Sequence, residues 1–573
     1  MSVQHSGSMG DATRYLCAAA YLDDRFRRKL LRELIYHKHH APAPSYGGFD
    51  VAPVLVHCLR ARRLMLARDL SFVVLLIVAL WASSIGVVIY AALAVPFATL
   101  SLIPSSRLKL PARLRLSHLG LAVIVYLGLS ISVYLGGADA GGVGHGPLLW
   151  FALFLLAVLV MSVAHRVYVR RLLRKDLAPG AARPGPTVPE SLTGDWIDSV
   201  AGAQYGNVTL YSGENPFIGA GDPRSALANV WSFTIELDRP RDEDEAVLPV
   251  DSWELHEHIR RSMEAMATEY SEAPDGGRKD GSAPLPPNER IAALNLAYQV
   301  VGRGECAQYE RYVDPAGGTE RIVGHPLIDP ELGVPYSRAS AAACEAIIRH
   351  PQAALRCYQR VTVGSRQQVV REGDHVFLPA ENPEIVVSAF IYVAVEGRML
   401  YTDFIATVLP PIPKRFRVVD ELPSYTPAQF LKHAFRHQWP GLVGDAILAP
   451  FRLADSLVTM AYADAFADFP EPSSRTRYDY GARVSARELG AQRAPATYTE
   501  ALDAHKYISM ITQRMNGAVL DYLTSRNVDV SSYRLQMNLV ANMNVAGNNY
   551  GMVNVGPGQA TQHIGNLRGA GSG

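Results

Sequence analysis

The pattern of apolar and polar positions divides the chain into stretches of different period. In "TRYLCAAAYLDDRFRRKLLRELIYHKHH" apolar residues recur at Leu16, Ala19, Ala20, Phe26, Leu30 and Leu34. That spacing predicts helix with a basic opposite face. "VAPVLVHCLRARRLMLARDL" reads as a second helix leading into an apolar run. Residues 70–106 carry no charge, and their apolar part, 70–103, is 34 residues long. As one helix it would measure about 51 Å, against a hydrocarbon core of about 30 Å. "WASSIG", 81–86, offers small polar residues for a break. Two later runs, 116–135 and 148–164, have the length of ordinary spans.

Beyond a Pro/Gly-rich linker the period changes. "NVTLYS" and "VWSFTIEL" predict strands, with alternation at Trp231, Phe233 and Ile235. Asp251 or Ser252 can cap a helix with a stripe at Leu255, Ile259, Met263, Met266 and Tyr270. "SRASAAACEAIIRH" predicts another helix and "RCYQRVTV" another strand. Residues 384–409 predict a hairpin turning at Glu396-Gly397 and apolar on both faces. Such strands belong at the centre of a covered sheet. From 426 onward the pattern is helical until it dissolves into "VAGNNYGMVNVGPGQATQHIG", 545–565.

Charge sets an orientation for the apolar runs. Residues 1–69 hold eleven Lys or Arg against six Asp or Glu. Basic residues also follow the first run (Arg107, Lys109, Arg113, Arg115) and the last (Arg166, Arg170, Arg171, Arg174, Lys175). Only "GGADAGGVGHG", 136–146, lacks them. The positive-inside rule then places 136–146 outside and makes 70–103 a helical hairpin; one tilted helix is the alternative. The basic N-terminal helices would lie on the anionic leaflet. The expectation is a membrane α-helical anchor, a hairpin plus two spans, with a cytoplasmic α/β (α+β) domain, a helical C-terminal region and a disordered tail. Its parts are a basic helical region 1–69, a transmembrane region 70–165, a linker 174–199, the α/β domain 200–425, helices 426–530 and a Gly/Asn-rich tail 531–573. It would be a multi-pass plasma-membrane protein with both terminal regions cytoplasmic and the bilayer as partner. Composition agrees: 49% of residues are apolar and 19% charged, where about a quarter charged is usual.

Chemistry is sparse. The net charge of +1 and the absence of a basic recognition helix predict no nucleic-acid partner. Five widely spaced cysteines, with no CxxC, read as reduced thiols. "HKHH", 37–40, lacks metal geometry. In "WELHEHIRR" His256 and His258 point roughly 200° apart on a helix and cannot share a metal; Glu254 and His258 read as a surface pair. "GRGEC" puts Cys306 near Arg303, without a histidine partner. No nucleotide, triad or kinase motif appears, so no cofactor or metal is expected and catalysis is unsupported. One loop invites a ligand. In "GENPFIGAGDPR" the backbone around Gly213, Asn215, Gly219, Gly221, Asp222 and Arg224 could turn amides toward an anion, although glycines in a long loop need none.

Two resemblances follow from these stretches. "YLCAAAYLDDRFRRKLLREL", "FDVAPVLVHCLRARRLMLARD", "GNVTLYSGENPFIGAG", "ASAAACEAIIRHP" and "LYTDFIATVLPPIPKRFRVVDELP" together resemble uncharacterised multi-pass membrane proteins of actinobacteria, over most of 10–425. That resemblance implies an architecture and no activity. "NNYGMVNVGPGQATQHIG" is similar to bacterial amyloid-signalling motifs, which stack as cross-β ladders. It implies that Val553 and Val555 in one strand, and Gln562, Ile564 and Gly565 in a second, pair with copies of themselves around a Pro557 turn. A plain disordered tail is the other reading. The functional expectation is a membrane-anchored interaction or signalling protein without catalysis, self-assembling through its tail. The alternative is an unrecognised enzyme or ligand-binding module in 200–425.

Overall fold

In the computed structural model seven strands form one mixed sheet. The structure describes residues 9–37, 40–46, 48–82, 146–181, 194–267, 290–291, 294–307, 311–312, 321–322, 327–328, 335–364, 370–372, 375–378, 385–426, 428–430, 448–467, 477–546 and 553–555. In chain order, the main elements begin with α1 (Asp11–Leu22), α2 (Asp24–Leu31), α3 (Val51–Ala82), α4 (Gly146–Asp176) and α5 (Gly194–Ala203). Then come β1 (Val208–Tyr211), β2 (Asn229–Glu236), α6 (Ser252–Glu264), β3 (Leu294–Arg303), α7 (Ala341–Arg349) and β4 (Leu355–Val363). The hairpin β5 (Val386–Glu396) and β6 (Met399–Leu409) is followed by α8 (Ala449–Ala467), α9 (Tyr498–Ser525), α10 (Ser531–Ala546) and β7 (Val553–Val555).

The strand order is β1-β3-β4-β5-β6-β2-β7. The four inner pairings are antiparallel; the outermost pairings, β1 with β3 and β2 with β7, are parallel. The β5–β6 hairpin turns through Gly397 (φ 58°) and Arg398 (φ 60°), both left-handed as a tight two-residue turn requires. One sheet face presents Trp231, Phe233, Phe404 and Val393 to Leu255, Ile259 and Met263 of α6, Met515 and Leu523 of α9, and Tyr533 of α10. α6 forms where the stripe predicts it because Asp251 caps it, its side chain accepting from the amides of Trp253 and Glu254. The other face carries Tyr358, Phe390 and Tyr392 under Tyr46 and Phe217, which come from coil.

A second core joins α1, α2, the first half of α3, the end of α4 and α5 to Ile412, Phe416 and Val419. Two of its basic residues turn inward, while Arg25, Arg28 and Arg32 stay exposed. Buried Arg14 donates from Nε to the Leu177 carbonyl at 3.1 Å and is ion-paired with Asp11 and Asp420. Arg27, also buried, donates to the Ala20 carbonyl at 3.0 Å and pairs with Asp24.

These contacts correct the expected membrane architecture. Among the described residues no helix is long and apolar enough to cross a membrane. The membrane-anchor fold class, the transmembrane and multi-pass description, and the plasma-membrane placement with cytoplasmic ends are overturned with it. Residues 83–103 of the expected hairpin and the expected span 116–135 lie outside the described residues. The reason is legible in α3, which starts nineteen residues before the apolar run. Val54, Leu55, Cys58 and Ala61 are buried in the helical core. Asp69, itself buried, stands at the point where the run begins, held by Arg68 at 2.8 Å and by Arg452 of α8 at 3.1 Å. Past it α3 exposes Leu70, Val74, Ile77, Val78 and Trp81, the residues that carried the reading. Residues 148–164 lie within α4, which continues through Arg166, Arg170, Arg171 and Arg174 to Asp176. The expected disordered tail is corrected in part: Ser531–Ala546 is helix, and Val553–Val555 is a strand of the main sheet.

Candidate functional site

The loop between β1 and β2 folds as a plug on the coil-covered face of the sheet. Phe217 enters between Tyr358 (centroids 5.4 Å apart) and Phe390 (4.4 Å). Asn215 closes its own turn, accepting from the Phe217 amide at 3.0 Å and donating to the Gly221 carbonyl at 3.4 Å. Gly219 (φ +98°) and Gly221 (φ +112°) are in conformations that only glycine adopts readily. A Cβ on Gly219 would stand 2.8 Å from the Pro44 carbonyl oxygen, and one on Gly221 2.5 Å from that of Val408.

The amides that sequence reasoning offered to a ligand already hold an anion of this chain. Gly219 N–H and Gly221 N–H donate to Oε1 of Glu488 at 2.7 and 3.0 Å. Glu488 lies on a short helix, Ala486–Leu489, capped by Ser485. Burial pushes its carboxyl up, while the two amides pull it down. The remaining candidates face solvent: Gly213 is exposed, Asp222 accepts from the Arg224 amide at 2.9 Å, and Arg224 pairs with Glu214 at 2.5 Å. The structure thus brings Asn215, Gly219 and Gly221 together and leaves Gly213, Asp222 and Arg224 at the rim. Glu488 was missed because "ARELG" carries no motif and lies more than 260 residues away from the loop.

The "WELHEHIRR" histidines also part company. His256 is fully buried against the sheet, where burial pushes its pKa down to about 4. Glu254 accepts from Tyr522 Oη of α9 at 3.0 Å and meets Arg526, the residue that follows α9. No group of three or more His, Cys, Asp or Glu side chains able to hold a metal occurs among the described residues.

The second location is the outer edge of β2. Val553, Asn554 and Val555 pair in parallel with Trp231, Ser232 and Phe233, three of the eight residues of β2. Next to this pairing, Gln536 of α10 donates to the Thr234 carbonyl at 3.2 Å, and Tyr533 packs edge-on to Phe233 at 5.2 Å. α10 therefore delivers the chain to the edge, and six residues separate its end from β7. The self-assembly candidates Val553 and Val555 lie in this strand; Gln562, Ile564 and Gly565 lie outside the described residues.

Comparison with known proteins gives one match. Residues 230–556 match the AbeC-like domain family, over more than half of the chain. No curated protein and no solved structure matches it. The matched span opens on β2 and closes on the residue after β7, so both partners of the edge pairing lie inside it. The chain belongs to the AbeC-like domain family.

Proposed function

We propose that this protein works by interaction rather than by turnover, and that its interaction surface is the β2 edge, which takes β7 from its own chain or from a second copy. The parallel seating of Val553–Val555 on Trp231–Phe233 is the observation that carries the reading. Strand addition supplies affinity through main-chain hydrogen bonds. Here the pairing is short. Each backbone bond contributes about 0.5–1.5 kcal/mol net, and ordering a residue costs about 1–2 kcal/mol. Three residues therefore sit near balance, which suits a strand that exchanges. The short connection from α10 holds the chain's own tail at an effective concentration on the order of millimolar. Exchange between copies is then favoured where copies are clustered.

Mixing two full-length variants tests this reading. Ser232 and Asn554 are register partners. A Ser232→Cys chain mixed with an Asn554→Cys chain under mild oxidation is expected to accumulate a disulfide-linked heterodimer. Replacing the second with Ala560→Cys, outside the pairing, is expected to reduce that product strongly. Equal yields from both mixtures would refute exchange at this edge.

A further inference from the structure

The β2 edge differs between the two faces of the sheet. Trp231 and Phe233 are buried on the helix-covered face, their rings stacked at 4.2 Å, with Tyr533 of α10 edge-on to Phe233. Ser232, between them, is half-buried and belongs to the opposite face. There it starts a polar row that runs inward across three strands. Ser232 is the register partner of Asp403 on β6, and Asp403 that of Tyr392 on β5. The Ser232 hydroxyl donates to Oδ1 of Asp403. Oδ2 of Asp403 meets Arg356 of β4 at 3.5 Å, and the Arg356 guanidinium lies 4.9 Å from the centre of the Tyr392 ring.

This row gives the edge a polarity. A hydroxyl has one proton and two lone pairs, and a carboxylate oxygen only accepts. The single Ser232 proton is therefore committed to Asp403, on the inner side. Among the described residues Ser232 Oγ makes no other hydrogen bond. Toward a strand added at the edge it has only lone pairs to offer. Arg356 already sits against Asp403, so the row exerts no strong pull on a second cation.

Building on the exchangeable-edge reading, we infer that Ser232, positioned by Asp403, selects the strand that the β2 edge takes: the residue opposite Ser232 must be an uncharged hydrogen-bond donor between two apolar residues, and a carboxylate there is rejected.

The apolar flanks follow from the register. Positions 553 and 555 pair with Trp231 and Phe233, which are buried in the core under α10. The middle position pairs with Ser232. An amide or hydroxyl there can donate to Ser232 Oγ. An aliphatic residue forfeits that bond. A carboxylate sets acceptor against acceptor and loses its own hydration, the unpaired-group penalty on which specificity commonly rests. Val553-Asn554-Val555 of a second copy carries the required pattern. In strand addition main-chain bonds supply affinity and alternate side-chain positions supply choice. The chemistry of Ser232 and Asp403 thus names the partner as a strand of apolar, neutral-donor, apolar sequence.

The test uses the full chain and labelled peptides of residues 544–567, with dissociation constants read by fluorescence anisotropy. An Asn554→Ser peptide should bind within about two-fold of the unaltered peptide, Asn554→Val about three- to ten-fold more weakly, and Asn554→Asp at least about ten-fold more weakly. Two chain variants assign the choice to the row. In Ser232→Ala the unaltered and Asn554→Val peptides should bind within about two-fold of each other, because the acceptor is gone. In Asp403→Asn the new amide can donate to Ser232 Oγ and free the hydroxyl proton, so the Asn554→Asp peptide should recover to within about three-fold of the unaltered one. A merely structural role would weaken all peptides alike and leave these ratios in place. The inference is overturned if the unaltered chain binds the Asn554→Asp and unaltered peptides equally. It is also overturned if both chain variants, shown folded by circular dichroism, keep the original ratios. If the unaltered peptide itself does not bind, the exchangeable edge fails, and this inference with it.

Discussion

The two edges of the sheet are closed in opposite ways. At β1 the closure is built into the fold. Ala482 accepts from Ser212 at 3.1 Å and donates to Leu210 at 2.8 Å, and Ser337 accepts from Val208 at 3.2 Å. Gly481 lies so close that a Cβ there would stand 2.4 Å from the Ser212 nitrogen. That segment is clamped from behind as well, because the Ala41 amide donates to the Tyr480 carbonyl at 2.7 Å. At β2 the closure is three residues of tail pairing. An open edge is a template for any strand. The difference teaches that the first edge is held by several backbone bonds from separate segments and the second by a single three-residue strand, which is why we propose that the second can be exchanged.

The largest expected effect falls on the finished edge. Gly481→Ala pushes backbone against backbone, where neither side can rotate away. It should cost about 2–3 kcal/mol, the upper part of the range for overpacking, read as a lower urea midpoint. A wild-type midpoint would mean that β1 is as loosely closed as β2.

A smaller effect sharpens the clamp behind β1. Glu33 Oε2 meets His40 Nδ1 at 3.3 Å, next to the Ala41–Tyr480 bond. Burial alone would raise the Glu33 carboxyl, but His40, with Arg32 and His37 adding, outweighs it and brings it to about 2. A lowered folded pKa gives stability that is present above the ordinary value of 4.5 and lost as the pH falls toward 2. Between those limits the full chain should lose on the order of 1–3 kcal/mol more than Glu33→Gln does, measured by urea unfolding at each pH. Parallel curves for the two proteins would remove the clamp from the account.

What the sequence made legible follows from the kind of contact. The hairpin of β5 and β6 was readable because apolar residues on both faces demand cover, and Glu396-Gly397 marks its turn. The α6 stripe at Leu255, Ile259 and Met263 was readable from period alone. Neither edge closure was. Ala482 and Ser337 act through backbone groups, which leave no side-chain signature, and their partners are far away in the chain. Val553 and Val555 could be read as a strand, but alternation does not name the strand it pairs with. Of the candidate loop, the glycines were visible and their occupant was not. Hydropathy misled in the described part of the run, 70–82, because an uncharged stretch reports what a helix can bury and not what it packs against. Asp69, one residue before the run, already belonged to a protein contact with Arg452.

The most direct measurement concerns the replaceable edge. A chain ending at Ala546 should fold with nearly unchanged stability, within about 1 kcal/mol, because the three lost rungs contribute little net. A labelled peptide of residues 544–567 should bind this shortened chain, followed by fluorescence anisotropy. The full chain should bind it at least about ten-fold more weakly, since its own tail competes at high effective concentration. A scrambled peptide should bind neither. Tight binding to the shortened chain alone is the predicted result. Absence of binding to it, or equal binding to both chains, would contradict the claim that the β2 edge is an exchangeable strand site.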